Sequence, residues 1–358
     1  MVLLRFTLIA AIIATSSLSA EARKKTHSKP AEQSQRGPAE LEAATRLQIF
    51  LDRASFSPGA INGHYDDRTL KALALYRQSR GEQPPSSPSP AKPDAAPDLN
   101  GLDLTGVDPV FIPYTVAETD LQNIGPVPSS VAAQAKLKFL PYRNAAEAIA
   151  EKFHCDVHFL DQLNPGKTKA IKAGDQLKVP SVEPFELAAV KDLKPGSDLE
   201  APAANDIPDE QGANNTVTPE PGRPTTSITI DIKTNMLEVF EADKLVAAYP
   251  VTVGSAQTAS PIGEWKVRGI AKLPRFRYDK QMLRHGERSG NFHILPPGPN
   301  SPVGVIWVTL NKKGIGLHGT NEPETIGHAA SHGCVRLANW DVVRLAQKVK
   351  PGVPVSIH

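Results

Sequence analysis

The sequence predicts a multidomain α+β chain whose C-terminal domain is mainly β. Two observations carry this. Proline, 33 residues in all, concentrates near 84–99 and 180–224, which marks those stretches as linkers between compact pieces. Upstream of about residue 182 apolar residues recur at helical spacing. Downstream of about 226 they alternate over short runs punctuated by glycine and proline. A length of 358 residues is enough for two or three domains. Charge is nearly balanced, 40 basic against 38 acidic residues. With no dense basic run, nucleic acid is excluded as a partner.

Residues 1–22 have the layout of a secretory signal. Arg5 gives a charged start, Leu8–Thr15 is an apolar run too short to span a bilayer, and Ala20-Glu21-Ala22 offers a small-residue cleavage site. An uncleaved anchor is the alternative, since Arg23-Lys24-Lys25 follow. Either way the expectation is an exported protein of the periplasm or cell envelope.

Between 38 and 81, Leu41, Ala44, Leu47, Gln48 and Leu51 fall at helical spacing. Ser57–Gly63 then breaks the pattern, and Asp66 or Asp67 can cap a second helix through Thr69, Leu73 and Tyr76. Residues 82–110 are expected as linker. From 111 to 181 the order is strand, helix, helix, strand. Tyr114–Val116 opens it, and Ala145, Ile149 and Phe153 share one helix face. Phe159, Leu160 and Leu163 mark a second helix, and Gln176–Pro180 alternates like a strand. Residues 182–225 are expected as a second linker that lets the last domain swing. From 226 to 358 come a hairpin (Ile228–Ile232, Met236–Phe240), a strand at Leu245–Val253, one late helix at Trp340–Val349 and a closing strand at Val353–Ile357.

The stretch His318–Leu337 concentrates the chemistry. Ser331-His332-Gly333-Cys334 places imidazole and glycine beside a thiol, the raw material of a cysteine nucleophile. Gly333 frees the backbone to bend and to turn amide N–H groups toward an oxyanion. Either His332 or His318 can be the base; spacing alone leaves both open. Two other readings compete: a buried structural cysteine, and a zinc site of Cys334 with His318, His328 or His332. No second cysteine lies nearby to support zinc, so no metal or cofactor is expected. Cys334 is expected to stay unpaired, with Cys155 packed as a small buried apolar residue.

His318-Gly319-Thr320, Ile326-Gly327, Ser331-His332-Gly333-Cys334-Val335-Arg336-Leu337 and, upstream, Pro296–Asn300, Pro302-Val303-Gly304 and Trp307 closely resemble the L,D-transpeptidase (YkuD) catalytic domain. His328 departs from that pattern. The resemblance covers about the last 130 residues. It implies Cys334 as nucleophile and His318 as general base and acid, oriented by the Gly319 carbonyl. It implies an oxyanion hole from the His332–Gly333 backbone, and substrate contacts from Ser331, Arg336 and Trp307. Leu47-Gln48, Phe56, Pro58-Gly59, Asn62-Gly63, Thr69 and Tyr76 resemble a helical peptidoglycan-binding domain. Leu163–Gly166 and Gly174–Pro180 resemble a LysM module, with a long insertion after its first strand. Together they imply acyl transfer on peptidoglycan stem peptides, with an envelope lipoprotein as another acceptor and no cofactor. The alternatives are a carboxypeptidase or amidase of the same fold, or a wall-binding scaffold without catalysis.

Overall fold

The first helix begins on a proline, whose fixed φ suits the opening turn and whose missing N–H is not needed there. This helix, α1 (Pro38–Arg53), buries Ala44, Leu47, Ile49 and Leu51. Asp66 caps α2 (Asp67–Ser79) by accepting the Thr69 N–H at 2.9 Å. The turn between the helices is tied back to α1 through Gln48, which accepts the Gly63 N–H at 2.9 Å. The protein is described here from a computed structural model covering residues 37–82, 95–193, 203–206, 226–254, 259–328, 331 and 333–358. The leader read from the sequence lies outside these residues. No helix among the described residues is long and apolar enough to cross a membrane.

Strands β1 (Phe111–Thr115) and β2 (Gln176–Pro180) pair antiparallel. Between them run α3 (Val131–Gln134), α4 (Ala145–Lys152) and α5 (Val157–Leu163). Asn144 and Asp156 cap α4 and α5. Ile149, Phe153 and Leu160 pack under Leu177 and Val179, and Ile49 and Ile61 of the helical hairpin join the same core. The stretch from β1 to β2, the βααβ unit, carries α4 and α5 together with α3 in the inserted stretch.

The C-terminal region contains β3 (Thr226–Asp231), β4 (Met236–Glu241), β5 (Lys244–Pro250), β6 (Gly263–Lys272), β7 (Phe276–Tyr278), α6 (Lys280–His285) and β8 (His293–Leu295). It continues through β9 (Ile306–Leu310), β10 (Gly316–His318), β11 (Val335–Arg336), α7 (Asn339–Lys348) and β12 (Pro354–Ile357). Eight of these strands form one sheet in the order β11-β10-β9-β6-β12-β3-β4-β5. A register shift in β6 between Val267 and Gly269 falls where the sheet passes from β9 to β12, which permits it to curl. β9 is buried along its whole length, and α7 buries Trp340, Val342, Leu345 and Ala346 in the same core.

The pieces read as separate modules are docked on one another. From Pro38 to His358 they make one compact unit. Ala248 of the edge strand β5 donates to the Ser55 carbonyl at 3.0 Å, and Ser57 donates back to Ala248 at 2.8 Å. The hairpin turn thereby covers that edge. Leu140 donates to the Pro297 carbonyl at 2.8 Å, and a Cβ on Gly298 would lie 2.1 Å from the Leu140 oxygen. Residues 182–193, expected as the start of a swinging linker, instead bury Phe185 and Val190 in the C-terminal core.

One buried cluster joins all three pieces. Asp52 of α1, with no exposed side-chain surface, accepts both Arg344 guanidinium N–H groups from α7 at 2.9 Å each. His154, just past α4, places Nδ1 3.1 Å from Asp52 and stacks on Trp340 at 5.2 Å. Its φ of 53° lies in the left-handed region, which histidine tolerates better than most residues. Burial pushes the Asp52 carboxyl up, but the Arg344 charge and the hydrogen bonds from His154 and Arg344 outweigh it and hold it well below the usual range. Burial lowers His154 and leaves it a neutral donor at pH 7. Truncating one member strands the others, so Asp52→Ala is expected to lower stability by about 3–5 kcal/mol. The double variant Asp52→Ala/Arg344→Met is expected to lose less than the sum of the two single losses. Strictly additive losses in denaturant melts would show that the cluster is not a coupled unit.

Candidate active site

β10 and β11 run parallel, with His318 opposite Arg336 and Leu317 opposite Val335. His318 ends β10, and Cys334 sits one residue before β11. The first half of the signature is thus brought beside the second by strand pairing. Gly333 takes φ 109°, a backbone region that disfavours any side chain, and so turns the chain into Cys334.

His318 is 4% exposed. Its Nδ1 lies 2.6 Å from the Gly319 carbonyl, which can only accept, so Nδ1 carries the proton and Nε2 keeps its lone pair. Two glycines make this possible. A Cβ on Gly319 would fall 2.1 Å from Asn339 Oδ1, and one on Gly304 would fall 2.0 Å from the same atom. Asn339, at the head of α7, therefore occupies space that only glycines leave. On its ring face His318 stacks on Trp307, 5.1 Å between centroids and 7° from parallel. Gly316 makes room for that indole, since a Cβ there would meet its ring at 2.5 Å.

Burial and the neighbouring Arg336 charge press the His318 imidazole down to about 3, only partly opposed by its bond to Gly319. The Cys334 thiol is pushed up to about 11 by burial, against smaller opposing contributions from the Gly316 amide and Arg336. Cys334 also donates to the Gly314 carbonyl at 3.3 Å. At neutral pH both groups are therefore neutral. The two groups line the same cavity, each uncharged.

A cavity of about 310 Å³ brings Cys334, His318, Ser331, Arg336 and Trp307 together. Ser331 is 2% exposed and serves the turn directly: its hydroxyl accepts the Gly333 N–H at 3.1 Å and donates to the Cys334 carbonyl at 2.5 Å. The Gly333 amide, expected to face an oxyanion, is committed to that hydroxyl. Trp307, expected at the substrate surface, is 1% exposed and acts as the floor beneath His318. His332 lies outside the described residues. His328 is exposed on its loop. Cys155 is an unpaired thiol with 3% exposure, raised far above its usual range by burial.

The sequence reading missed the opposite wall. Helix α6 contributes Lys280, Met282, Leu283 and Arg284 to the cavity, and Asn205 lies beside them. Asp279 caps α6 by accepting the Gln281 and Met282 N–H groups, and Gly286 closes it with φ 76°. An Asp cap followed by a Gly stop was the available signal. No local pattern could have placed Asn205. It exchanges two hydrogen bonds with the Arg277 backbone from a position 72 residues away.

A family model for the L,D-transpeptidase catalytic domain (YkuD) matches residues 225–357. YkuD of Bacillus licheniformis, whose name assigns it to the L,D-transpeptidases, is 35% identical over 130 residues, which is 36% of this chain and 64% of that protein. YqjB of Bacillus subtilis, named to the same group, is 32% identical over 144 residues, 39% of this chain and 73% of that protein. A solved L,D-transpeptidase from Mycobacterium smegmatis aligns with 37% of this chain and 58% of its own at 20% identity, with a TM-score of 0.31.

The neutral pair has a measurable signature. The alkylation rate of Cys334 by iodoacetamide is expected to keep rising from pH 7 to about 10, because the thiolate grows across that range. A plateau already reached at pH 7 would mean a preformed thiolate–imidazolium pair.

Proposed function

Because the chain belongs to the L,D-transpeptidase family, we propose that Cys334 attacks a carbonyl of a peptidoglycan stem peptide and transfers the acyl group to an amine. The observation that carries this is the His318 tautomer: with Nδ1–H spent on the Gly319 carbonyl, the unprotonated Nε2 belongs to the cavity that holds Cys334. As sulfur bonds to the carbonyl carbon, the thiol proton passes to Nε2 and the carbonyl oxygen gains the negative charge. Collapse of that intermediate expels the leaving amine, which takes the proton from His318 and leaves a thioester. An acceptor amine repeats the steps in reverse order and regenerates the thiol. A base with so depressed a pKa is always unprotonated at neutral pH, and it gains a proton only as charge develops beside it.

The cavity favours an anionic donor. Lys280, Arg284 and Arg336 line it, and no carboxylate does among the described residues. The carboxylates of a stem peptide match that charge. The helical hairpin and the βααβ unit would hold the wall as a peptidoglycan-binding domain and a LysM module. Action on that polymer requires an exported protein, which agrees with the leader-like residues 1–22. The acceptor would be a second stem peptide or the amine of an envelope lipoprotein.

The test is turnover of purified tetrapeptide muropeptides by the full chain beside Cys334→Ala. Crosslinked dimer is expected with the native thiol and none with the variant. Shortened monomer alone would make the enzyme a carboxypeptidase that uses water. Absence of any product, and of a carbapenem adduct on Cys334 by mass spectrometry, would count against acyl transfer altogether.

A further inference from the structure

A second cavity, of about 380 Å³, begins two residues beyond His318. One part of its wall is the loop Thr320–Glu324, and another is the stretch from Arg143 to His158 of the βααβ unit. The docking described above is what creates it. Its lining is strongly acidic. Glu147 is already paired with Arg143 at 2.9 Å, and Asp156 is committed to the cap of α5. Glu151, Glu322 and Glu324 are left without a cationic partner among the described residues.

Glu151 supplies the independent sign of a ligand. It is 7% exposed, it lines the cavity, and its Oε1 has no hydrogen-bond partner. Burial raises the Glu151 carboxyl to about 8, only partly opposed by Tyr142 and Asn339, so it is neutral at pH 7. Its Oε1 is still a buried acceptor of a kind rarely left unsatisfied, and a cation beside it would favour the ionised form. Glu322 and Glu324 face the same space from the other wall. The charge of Arg143 and the opposing charges of Asp156 and Glu322 all act on Glu324, so the two walls share one electrostatic environment.

A bare metal ion does not fit. Among the described residues no group of three or more His, Cys, Asp or Glu side chains could hold one, and the volume far exceeds one ion. An alkylammonium group fits better, with three N–H donors, no acceptor and a long apolar stem. We propose that this cavity is a recognition site for a protonated primary amino group on a peptide ligand. Carboxylates hold an amine in its protonated, non-nucleophilic form. The site therefore selects a ligand by one amino group, while any nitrogen that attacks an acyl-enzyme lies elsewhere. The assignment goes beyond the acyl-transfer reading and does not depend on Cys334.

The probe is Nα-acetyl-L-lysinamide, with Nα,Nε-diacetyl-L-lysinamide as the uncharged control. Calorimetry on full-length Cys334→Ala protein isolates binding from turnover. The charged probe is expected to bind and the control not to bind. Glu322→Gln/Glu324→Gln, on an exposed loop, is expected to weaken binding about tenfold or more with an unchanged melting temperature. Glu151→Gln tests the buried oxygen by the same readout. No heat with the charged probe at millimolar concentration, equal binding of both probes, or undiminished binding by the folded double variant would each overturn the assignment.

Discussion

The buried carboxylate of Asp52 is the constraint on which the assembly rests. A carboxylate with no exposed surface is tolerated only when donors surround it, and here a charged guanidinium and a neutral imidazole come from elsewhere in the chain. Arg344 reaches it from α7, and His154 from the turn after α4. α1 cannot leave without stranding the Arg344 charge, and loss of the βααβ unit would take away one of the donors to Asp52. Ser57 adds a second link to the same helix by donating to Asp341 at 2.8 Å. Burial raises Asp341 to about 7, so this neighbour does not add a second full negative charge beside Asp52 at acidic pH.

That cluster is also contiguous with the site. α7 carries Arg344 near one end and Asn339 at the other. Asn339 Oδ1 accepts the Val305 N–H at 3.2 Å and fills the space that Gly304 and Gly319 leave open. Gly319 in turn offers the carbonyl that fixes the His318 tautomer. The imidazole is therefore set on one side by Trp307 and on another by a peptide group that a buried asparagine holds in place. The site depends on packing for its chemistry, since the same enclosure that fixes His318 also removes its charge.

Much of this was legible in the sequence, and for local reasons. The helical period of α1, the Asp66 cap, the alternation in β3 and β4 and the late helix α7 are all set by neighbours within a few residues. The cluster from His318 to Arg336 was legible because its residue types are unusual at that density. What stayed hidden depends on long-range contact. Asp52, His154 and Arg344 look like ordinary surface charges until the fold brings them together. Proline and polar content in residues 182–193 suggested free chain, yet Phe185 and Val190 are apolar enough to dock. Nothing local marks Gly316 and Gly304 as the positions whose missing Cβ atoms admit Trp307 and Asn339.

The charges around the end of β10 follow from the same docking. On the His318 side the lining carries Lys280, Arg284 and Arg336; on the Thr320 side it carries Glu322 and Glu324, with Glu151 beside them raised to about 8 by burial. Glu322 acts electrostatically on Arg336, so the opposed groups influence one another rather than lying in isolation. Screening weakens such fields in open water but much less between buried walls. A ligand carrying both signs would thus be turned one way only. The C-terminal domain could supply the cationic lining alone, with α6 and β11. Glu322 and Glu324 belong to the catalytic loop itself, and the docked βααβ unit encloses them and adds the buried Glu151 from α4.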